Sequence, residues 1–467
     1  MGLDLDTQAC DRARLARDAR FDGRFFIGVT STGIYCRPVC PAPSPKAAHV
    51  RYFPSAAAAA DAGFRPCLRC RPEASPGTPA WLGASASVSR ALKLIGQSAL
   101  DDSSVDDLAE RLGIGSRHLR RLFLRYLGAT PVAVAQTRRV HFAKKLIDET
   151  DLPMTQVALS AGFGSVRRFN ATFNRLYGRA PRDLRRVRAG AFRGREAGHY
   201  TFRLSYRPPY DWRSLIEFLS ARATPGVEMV TAAEYRRTIS LDGHIGTIAV
   251  RPLGDTNSLE LQIWFPDPSA LFRIVERVRK MFDLGADPAE VAAHLRRSPR
   301  LRPLVRAHAG LRVPGCWDGF EIGVRAILGQ QVSVKGATTI AGRVAAAFGS
   351  PVAGGGVLFP AAAALAGADL ARVGITTRRA NAIRALASSV ARGEVAFDGA
   401  LDAQEFERRL TAIPGIGPWT AQYVAMRLGE PDAFPSADLY LRNVAREADA
   451  WRPWRAYAAM YLWKEHA

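Results

Sequence analysis

The chain has 467 residues, which is too long for one hydrophobic core and predicts two to four domains. Lys and Arg number 65 against 43 Asp and Glu, and the formal charge of +22 favours a nucleic acid as partner. No run of about eighteen apolar residues occurs, and the acidic first residues lack an apolar segment, so we expect neither a membrane partner nor a secretory signal. Six cysteines in this length do not form a disulfide framework, and we expect a cytoplasmic protein associated with the nucleoid.

Four of the six cysteines form two close pairs, Cys36-x3-Cys40 and Cys67-x2-Cys70. Two such pairs separated by a loop have the spacing of a tetrahedral Zn²⁺ site. The spacing leaves two hypotheses open. The zinc is purely structural, or one zinc-bound thiolate is also a nucleophile. The remaining two, Cys10 and Cys316, are interpreted as ordinary thiols.

The segment 23–73 contains T-G-I-Y-C-R-P-V-C, A-G-F-R-P-C-L-R-C and R-P-E, and it resembles the N-terminal domain of the bacterial Ada proteins. The resemblance implies that Cys36 takes a methyl group from a methylated DNA phosphate, with Cys40, Cys67 and Cys70 as the other zinc ligands. A soft thiolate suits displacement at a methyl carbon, and the thioether product means that Cys36 is consumed. Loss of one negative charge should raise the affinity for DNA, as a damage sensor requires.

The cysteine domain is placed at residues 1–78. Residues 11–30 predict a short basic helix followed by a strand, and the run Ala56–Ala60 predicts a helix that ends at Gly63. Residues 71–80, which are rich in Pro, Gly and Ser, are interpreted as a first linker.

Residues 84–188 are helical and basic. Two segments each show a helix, a tight turn and a second, Arg-rich helix, with turns at Gly113 and at Ala161-Gly162. Two helix-turn-helix units joined by a linking helix and closed by Y-G-R-A-P-R-D-L-R resemble the DNA-binding domain of the AraC family of regulators. The resemblance implies binding to promoter DNA, with RNA polymerase as a further partner.

The second helix of each unit carries the candidate residues for contact with the major groove. These candidates are Ser116, Arg117, His118, Arg121, Ser165, Val166, Arg167 and Asn170. More than half of protein–DNA hydrogen bonds go to the backbone, so base contact and phosphate contact both stay open for each arginine. The apolar residues Leu119, Leu122, Phe123, Phe169 and Phe173 are predicted to be core.

Residues 185–199 are basic without periodicity and are interpreted as a second linker. Beyond them, four alternating segments predict half-buried strands, with the helix L-I-E-F-L-S-A-R-A after the first, and helices dominate from Pro268 onward. The predicted fold class is a multidomain α+β chain. A small zinc domain and an all-α tandem helix-turn-helix domain precede a mixed α/β lobe at 200–284 and a helical lobe at 285–467.

The helical lobe contains R-R-L-T-A-I-P-G-I-G-P-W-T-A, which predicts a helix-hairpin-helix with Gly415 and Gly417 in its turn. Glycines let the backbone approach a phosphate, and the following helix N-terminus favours an anion. Such a hairpin grips a DNA strand without reading bases, and its carbonyl groups are candidates to hold a monovalent cation. Asp438 follows in F-P-S-A-D-L-Y-L.

From residue 200 to the C-terminus the chain resembles AlkA-type DNA glycosylases of the helix-hairpin-helix superfamily. The hairpin, P-P-Y-D-W, F-D-L and L-R-V-P-G-C-W-D-G-F-E-I-G-V-R-A-I-L-G-Q-Q-V-S-V carry the resemblance. It implies that alkylated bases of the 3-methyladenine type are flipped out of double-stranded DNA and excised. Asp438 would stabilise the sugar oxocarbenium ion or position a water. The candidate rings for binding a cationic base are Phe218, Trp419, Tyr423 and Trp463.

The chain departs from the glycosylase family at two points. Gln330 and Gln331 match the corner at which the family inserts a wedge into the minor groove, and Gln331 replaces a more apolar residue. The segment between Asp438 and Trp451 is shorter than in the family, which could distort the pocket and weaken activity. No P-C-H-R motif occurs, so the guanine-repair half of Ada is absent and we expect no O6-methylguanine repair.

These patterns predict a bifunctional protein that senses alkylation damage and repairs it. One alternative is a transcription regulator with purely structural zinc and an inert glycosylase lobe. Another is a glycosylase tethered to N-terminal domains that no longer regulate.

Overall fold

A computed structural model describes residues 6–76, 86–185, 198–254 and 256–465. Helices α1–α19 span, in chain order, Thr7–Ala16, Ala56–Asp61, Ala86–Ile95, Val105–Arg111, Ser116–Leu127, Pro131–Glu149, Met154–Ser160, Val166–Tyr177, Trp212–Ala221, Leu271–Met281, Pro288–Leu295, Leu301–Ala307, Gly319–Leu328, Val334–Phe348, Ala362–Ala366, Thr377–Ala391, Ala403–Thr411, Pro418–Arg427 and Arg455–Glu465. Strands β1–β9 span Phe26–Val29, Ile34–Cys36, Val50–Phe53, Arg65–Pro66, His199–Ser205, Glu228–Val230, Tyr235–Leu241, His244–Leu253 and Ser258–Trp264. Within these ranges, no helix has both the length and the apolar character needed to cross a membrane.

The cysteine domain is built on a four-stranded sheet in the order β3-β1-β2-β4. Strand β1 pairs antiparallel with β2 and β3, and the short β4 runs parallel to β2. Gly28 in β1 lies beneath two rings, because a Cβ at this position would come within 2.6 Å of Phe53 and 2.9 Å of Phe64. The alanine-rich α2 packs against the same sheet through side chains small enough to allow close approach. This sheet holds both cysteine pairs.

The first predicted linker is wrong for its described part. Residues 71–76 pack against α6, with a 3₁₀ turn at Pro72–Ala74. Arg71 lies 2.8 Å from the Asp148 carboxylate on α6, and the Lys144 ammonium lies 2.6 Å from Asp148 and 3.7 Å from Glu73. A segment rich in Pro and Ser can pack against a helix when its charged residues form ion pairs there. Amino-acid composition alone does not show whether such partners exist. The remainder of that prediction, residues 77–80, lies outside the described residues.

The predicted tandem helix-turn-helix domain is confirmed. Helices α4 and α5 form the first unit, α7 and α8 form the second, and the long α6 joins them. Gly113 and Gly162 adopt φ values of 70° and 80° in the two turns, a backbone conformation that side chains disfavour. The predicted core residues are buried, with Leu122 only half-buried.

The mixed lobe contains a five-stranded antiparallel sheet in the order β5-β9-β8-β7-β6. Four of its strands match the predicted alternating segments. The short edge strand β6 was not predicted, since three residues show no periodicity. Most of the second predicted linker falls on residues 186–197, outside the described residues. The predicted C-terminal end of this linker is wrong, because His199 belongs to β5 and pairs with Trp264.

The second helix-turn-helix unit and the mixed lobe share one hydrophobic core. Phe142 on α6 packs with ring centres 5.0 Å from Phe272 on α10 and 6.4 Å from Phe202 on β5. The Arg138 guanidinium lies 4.1 Å from the Phe272 ring centre, and Lys145 Nζ donates a hydrogen bond of 2.5 Å to the Arg203 carbonyl. The tandem helix-turn-helix domain is therefore docked on the lobe that follows it.

We expect Phe142→Ala to lower the free energy of unfolding by about 3–5 kcal/mol, because it leaves a cavity between two rings in this shared core. Thermal and urea unfolding of the full chain measure the change. Leu124→Ala, on the exposed face of α5, is the control and should change stability by less than about 0.5 kcal/mol. Equal stability of the two variants would show that the shared core does not hold these parts together.

Candidate metal centre and candidate active site

The structure brings the four predicted zinc ligands together. Cys36 ends β2 and Cys40 follows after a turn, while Cys67 and Cys70 follow β4. Their four Sγ atoms lie within 4.8 Å of one another. Four sulfurs about 2.3 Å from a tetrahedral zinc ion would be about 3.8 Å apart, so the observed cluster fits this ion.

The four thiols share hydrogen bonds, which push their pKa values in opposite directions. Hydrogen bonds from Cys36, Cys40 and Cys70 lower the pKa of Cys67, while the hydrogen bond with Cys40 is the largest cause that raises the pKa of Cys36. The pKa of Cys40 is lowered to about 7, chiefly by its hydrogen bond with Cys36. Four adjacent thiolates repel one another, so all four ionise together only around a cation. The donor set therefore fits zinc.

A cavity of about 550 Å³ opens over the cysteine cluster. Residues 176–179, at the end of α8 and just beyond it, form part of its wall. Its cationic lining residues are Arg14, Arg37, Arg65, Arg69 and Arg179, and none of the described residues lining it is acidic. The cavity is therefore suited to an anionic ligand.

The five arginines of the cavity are of two kinds. Arg14 donates to Asp11 at 2.8 Å and Arg37 donates to Asp22 at 2.9 Å, so these two are committed to internal partners. The other three, Arg65, Arg69 and Arg179, are exposed and make no ion pair with any described residue. They can bind an anionic ligand without breaking an ion pair.

The two remaining cysteines lie apart from this cluster. Burial raises the pKa of Cys10 to about 11 and that of Cys316 to about 12, so both stay protonated at neutral pH. Neither is a good nucleophile.

Asp438 is half-buried between two tryptophans. Trp419, near the start of α18, donates its indole N–H to one carboxylate oxygen at 3.3 Å. Trp463, near the end of α19, donates to the other oxygen at 2.9 Å, and the backbone N–H of Tyr440 donates to that same oxygen at 3.1 Å. The three donors fix the orientation of the carboxylate and complement its negative charge.

Three of the four predicted pocket rings adjoin one another beside this carboxylate, and the fourth lies on the other side of Arg427. Trp419 and Tyr423, one turn apart on α18, stack with ring centres 5.4 Å apart and planes 7° apart. Trp463 lies 6.3 Å from Tyr423. Phe218, on α9, joins them through Arg427, whose guanidinium lies 5.3 Å from the centre of Phe218 and 5.8 Å from that of Tyr423. Each ring is half-buried and keeps an accessible surface.

Sequence analysis missed two arginines of this pocket. The Arg222 guanidinium lies 3.8 Å from the centre of Phe218 and makes no ion pair within the described residues, and Arg427 donates to the Tyr423 hydroxyl at 2.9 Å. Burial would raise the pKa of Tyr423, but Arg427, Arg222 and Arg325 together lower it. Arg427 follows Tyr423 by four residues on α18, and Arg222 follows Phe218 by four residues just beyond the end of α9, a spacing that could have identified both.

Of the two corner glutamines, Gln330 is hydrogen-bonded to the helix-hairpin-helix. Gln330 donates from Nε2 to the Gly415 carbonyl and to the Thr420 hydroxyl, both at 3.0 Å. Gln331 is exposed at the same corner with φ +56°. Gly415 and Gly417 are exposed just before α18, with Gly415 at φ +87°. The corner and the hairpin therefore form one connected surface.

The predicted groove-contacting residues lie on open faces of α5 and α8. Most are exposed, and Ser116 and Val166 are half-buried. Arg121 shares a hydrogen bond of 2.9 Å with His118 Nδ1, and the Ser165 hydroxyl accepts the Arg168 N–H at 3.2 Å as the cap of α8. Ser165 therefore has a structural role at this helix end.

Four known families match consecutive parts of the chain. The metal binding domain of Ada matches residues 9–73, and a helix-turn-helix domain matches residues 108–187. The AlkA N-terminal domain matches residues 201–318, and the HhH-GPD superfamily of base excision DNA repair proteins matches residues 324–464.

Similarity to curated proteins of Mycobacterium tuberculosis extends over almost the whole chain. The probable bifunctional transcriptional activator/DNA repair enzyme AlkA of Mycobacterium tuberculosis (strain ATCC 25618 / H37Rv) is 41% identical, covering 98% of this chain and 96% of that protein. DNA-3-methyladenine glycosylase 2 of Escherichia coli (strain K12) is 33% identical over 56% of this chain and 96% of its own length. The bifunctional transcriptional activator/DNA repair enzyme Ada of the same strain is 34% identical over 32% of this chain and 40% of its own length.

We expect the purified protein to contain one zinc ion per chain by elemental analysis, and Cys67→Ser to lose most of it, because a hydroxyl replaces one of four clustered thiolates. Acidification should also release the metal as protons compete for sulfur. Cys316→Ser, which removes a thiol outside the cluster, should retain one zinc. Full zinc content in Cys67→Ser would contradict the assignment of the ligands.

Proposed function

The chain belongs to the family of bifunctional transcriptional activator/DNA repair enzymes AlkA, and from this premise we propose that it excises alkylated bases with Asp438 and senses alkylated DNA with Cys36. The observation that carries the proposal is the Asp438 carboxylate held between two indole N–H groups, in an aromatic pocket next to a helix-hairpin-helix. Promoter recognition by α5 and α8, and contact with RNA polymerase, complete the proposed role of the regulatory half.

Base excision begins with a damaged nucleotide flipped out of the duplex. The hairpin at Gly415 and Gly417 holds the backbone, and the half-buried rings receive the base. The bond between the base nitrogen and C1′ breaks, the base leaves with the electron pair, and water adds to C1′ and releases one proton to the solvent. Asp438 stabilises the positive charge that develops on the sugar, or positions that water. The indoles of Trp419 and Trp463 keep the carboxylate in place during this step.

We include a monovalent cation at the hairpin in the proposal. The Gly415 carbonyl already accepts a hydrogen bond from Gln330, which leaves one lone pair for such an ion. The cation would help to hold a phosphate against the start of α18.

Methyl transfer at the cysteine cluster consumes the acceptor. Bound zinc would keep the sulfurs deprotonated at neutral pH. A bond forms between Cys36 Sγ and the methyl carbon of a phosphotriester, while the bond between that carbon and the phosphate oxygen breaks. The phosphate oxygen keeps the electron pair, so the strand regains its negative charge. The half-exposed position of Cys36 beneath the cavity supports this role.

We propose that the shortened segment after Asp438 leaves the glycosylase pocket functional. It forms 3₁₀ turns at Arg442–Val444 and Ala448–Trp451, and Leu441 and Trp451 are buried at 0% and 1% exposure. The carboxylate keeps both indole contacts, which argues against the alternative of an inert glycosylase lobe.

We expect Asp438→Asn to lower base release about 100- to 1000-fold, because the neutral amide no longer stabilises the positively charged sugar. Cys36→Ala should abolish methylation of the protein and leave base release unchanged. Incubation with alkylated duplex DNA, scored both for abasic sites and for protein mass, measures the two activities. Normal levels of both activities in both variants would refute the assignments.

We expect Arg222→Ala to raise the rate on the cationic base 3-methyladenine about five-fold relative to the neutral base hypoxanthine. The change removes the chain's own cation from the Phe218 face, an effect of about 1 kcal/mol. Single-turnover release from defined duplexes gives the ratio. Arg213→Ala on the same helix removes an exposed guanidinium and should leave the ratio unchanged. An unaltered ratio in Arg222→Ala would show that this arginine does not compete with the base.

A further inference from the structure

We propose that Cys36 works in a composite DNA-backbone site to which the second recognition helix contributes. In this site, Arg179 beyond the end of α8 binds phosphates next to the methylated one, together with Arg65 and Arg69 of the cysteine domain. The inference rests on the proposed methyl transfer and goes beyond it, because it assigns part of the acceptor site to the DNA-binding domain. Helix α8 then contacts DNA and presents the adjacent backbone to Cys36.

The first support is the contact between α8 and the cysteine domain. Helix α8 packs against β4, the strand that leads into Cys67. Gly178 ends the helix at φ +64°, and a Cβ there would lie 3.9 Å from Arg65 Nη1. Beyond this turn, Arg179 lines the same cavity as Cys36. Two cationic groups from different domains therefore line the cavity that contains the Cys36 thiol.

The second support is that the two domains are fixed relative to each other. The Tyr35 hydroxyl, one residue before Cys36, shares a hydrogen bond of 2.9 Å with His141 Nε2 on α6. The Ser55 hydroxyl donates to the Leu127 carbonyl at 2.7 Å. The ion pair between Arg71 and Asp148 adds a further contact. Together with the packing of α8 on β4, these contacts hold the chain that carries Arg179 against the cysteine domain.

The third support is the chemistry of the substrate. A methylated phosphate is neutral, so cations cannot hold it through its own charge. Its neighbours on the strand each carry one negative charge, and arginine binds phosphates with paired N–H groups. The three exposed arginines have no carboxylate partner among the described residues, and they are the groups available for these neighbours.

The composite site also predicts tighter binding to DNA after the reaction. When the methyl group moves, the cysteine cluster loses one negative charge and the strand gains one. Both changes strengthen the attraction between the strand and the arginines. Modified protein should therefore remain on DNA through the surface that carried out the transfer.

The test compares two methyl donors on the full-length, zinc-loaded protein. One donor is a duplex with a single methylphosphotriester, and the other is methyl iodide, which needs no phosphate contact. We expect Arg179→Gln to slow methylation of Cys36 by the duplex at least about ten-fold and to leave the rate with methyl iodide unchanged. The slope of log affinity against log salt should fall by about 1. Arg179→Lys should restore part of the rate.

Arg182→Gln is the matched control, because Arg182 is 83% exposed, pairs with Asp183 and lies three residues further on, outside the cavity lining. It should behave as wild type. A wild-type rate in Arg179→Gln would overturn the composite site and leave the methyl acceptor intact. Slower reaction of Arg179→Gln with methyl iodide would overturn it too, since the defect would then lie in the thiol. Wild-type protein that reacts with methyl iodide but never with the duplex would instead refute the proposed function.

Discussion

The arrangement of this chain depends on the contacts of one helix, α6. One part of it buries Lys144 and Asp148 against Arg71 and Glu73 of the cysteine domain. Phe142 packs into the core of the mixed lobe, and the two ends of the helix lead into the two helix-turn-helix units. Removing one partner from a buried group of charges costs about 3–5 kcal/mol, because the others are left unpaired in a low dielectric. The helix thus connects the cysteine domain, both helix-turn-helix units and the mixed lobe.

The sequence predicted local features well because their causes lie within a few residues. The spacing of Cys36 and Cys40 follows from the reach of two side chains on one turn. The positive φ values of Gly113 and Gly415 follow from the absence of a side chain in tight turns. Alternation of apolar and polar residues identified four of the five strands in the mixed lobe, since each face meets a different environment.

Contacts between distant segments were not predictable from such signals. Residues 71–76 have the composition of a linker, yet they are ordered because Asp148, far along the chain, neutralises Arg71. Phe142 lies on a helix whose pattern indicated a DNA-binding unit, and its partner Phe272 lies in another domain. Arg222 follows Phe218 by only four residues, but the contact of Phe218 with Arg427 is established only when α9 and α18 come together. These contacts join residues that are far apart in the sequence, so no short segment of the chain reveals them.

The two candidate sites face the same electrostatic problem. A thiolate at Cys36 and a carboxylate at Asp438 are anions that must approach a polyanion, and like charges at close range repel by several kcal/mol in a partly buried site. In each case, arginines that have no carboxylate partner among the described residues lie nearby: Arg65, Arg69 and Arg179 around the cysteines, and Arg222 next to the aromatic pocket. An ion pair within the protein would cancel the field that such an arginine exerts on DNA. At these positions the excess positive charge of the chain is carried by arginines that have no carboxylate partner among the described residues. Their attraction for phosphate allows a reactive anion of the protein to contact the DNA strand.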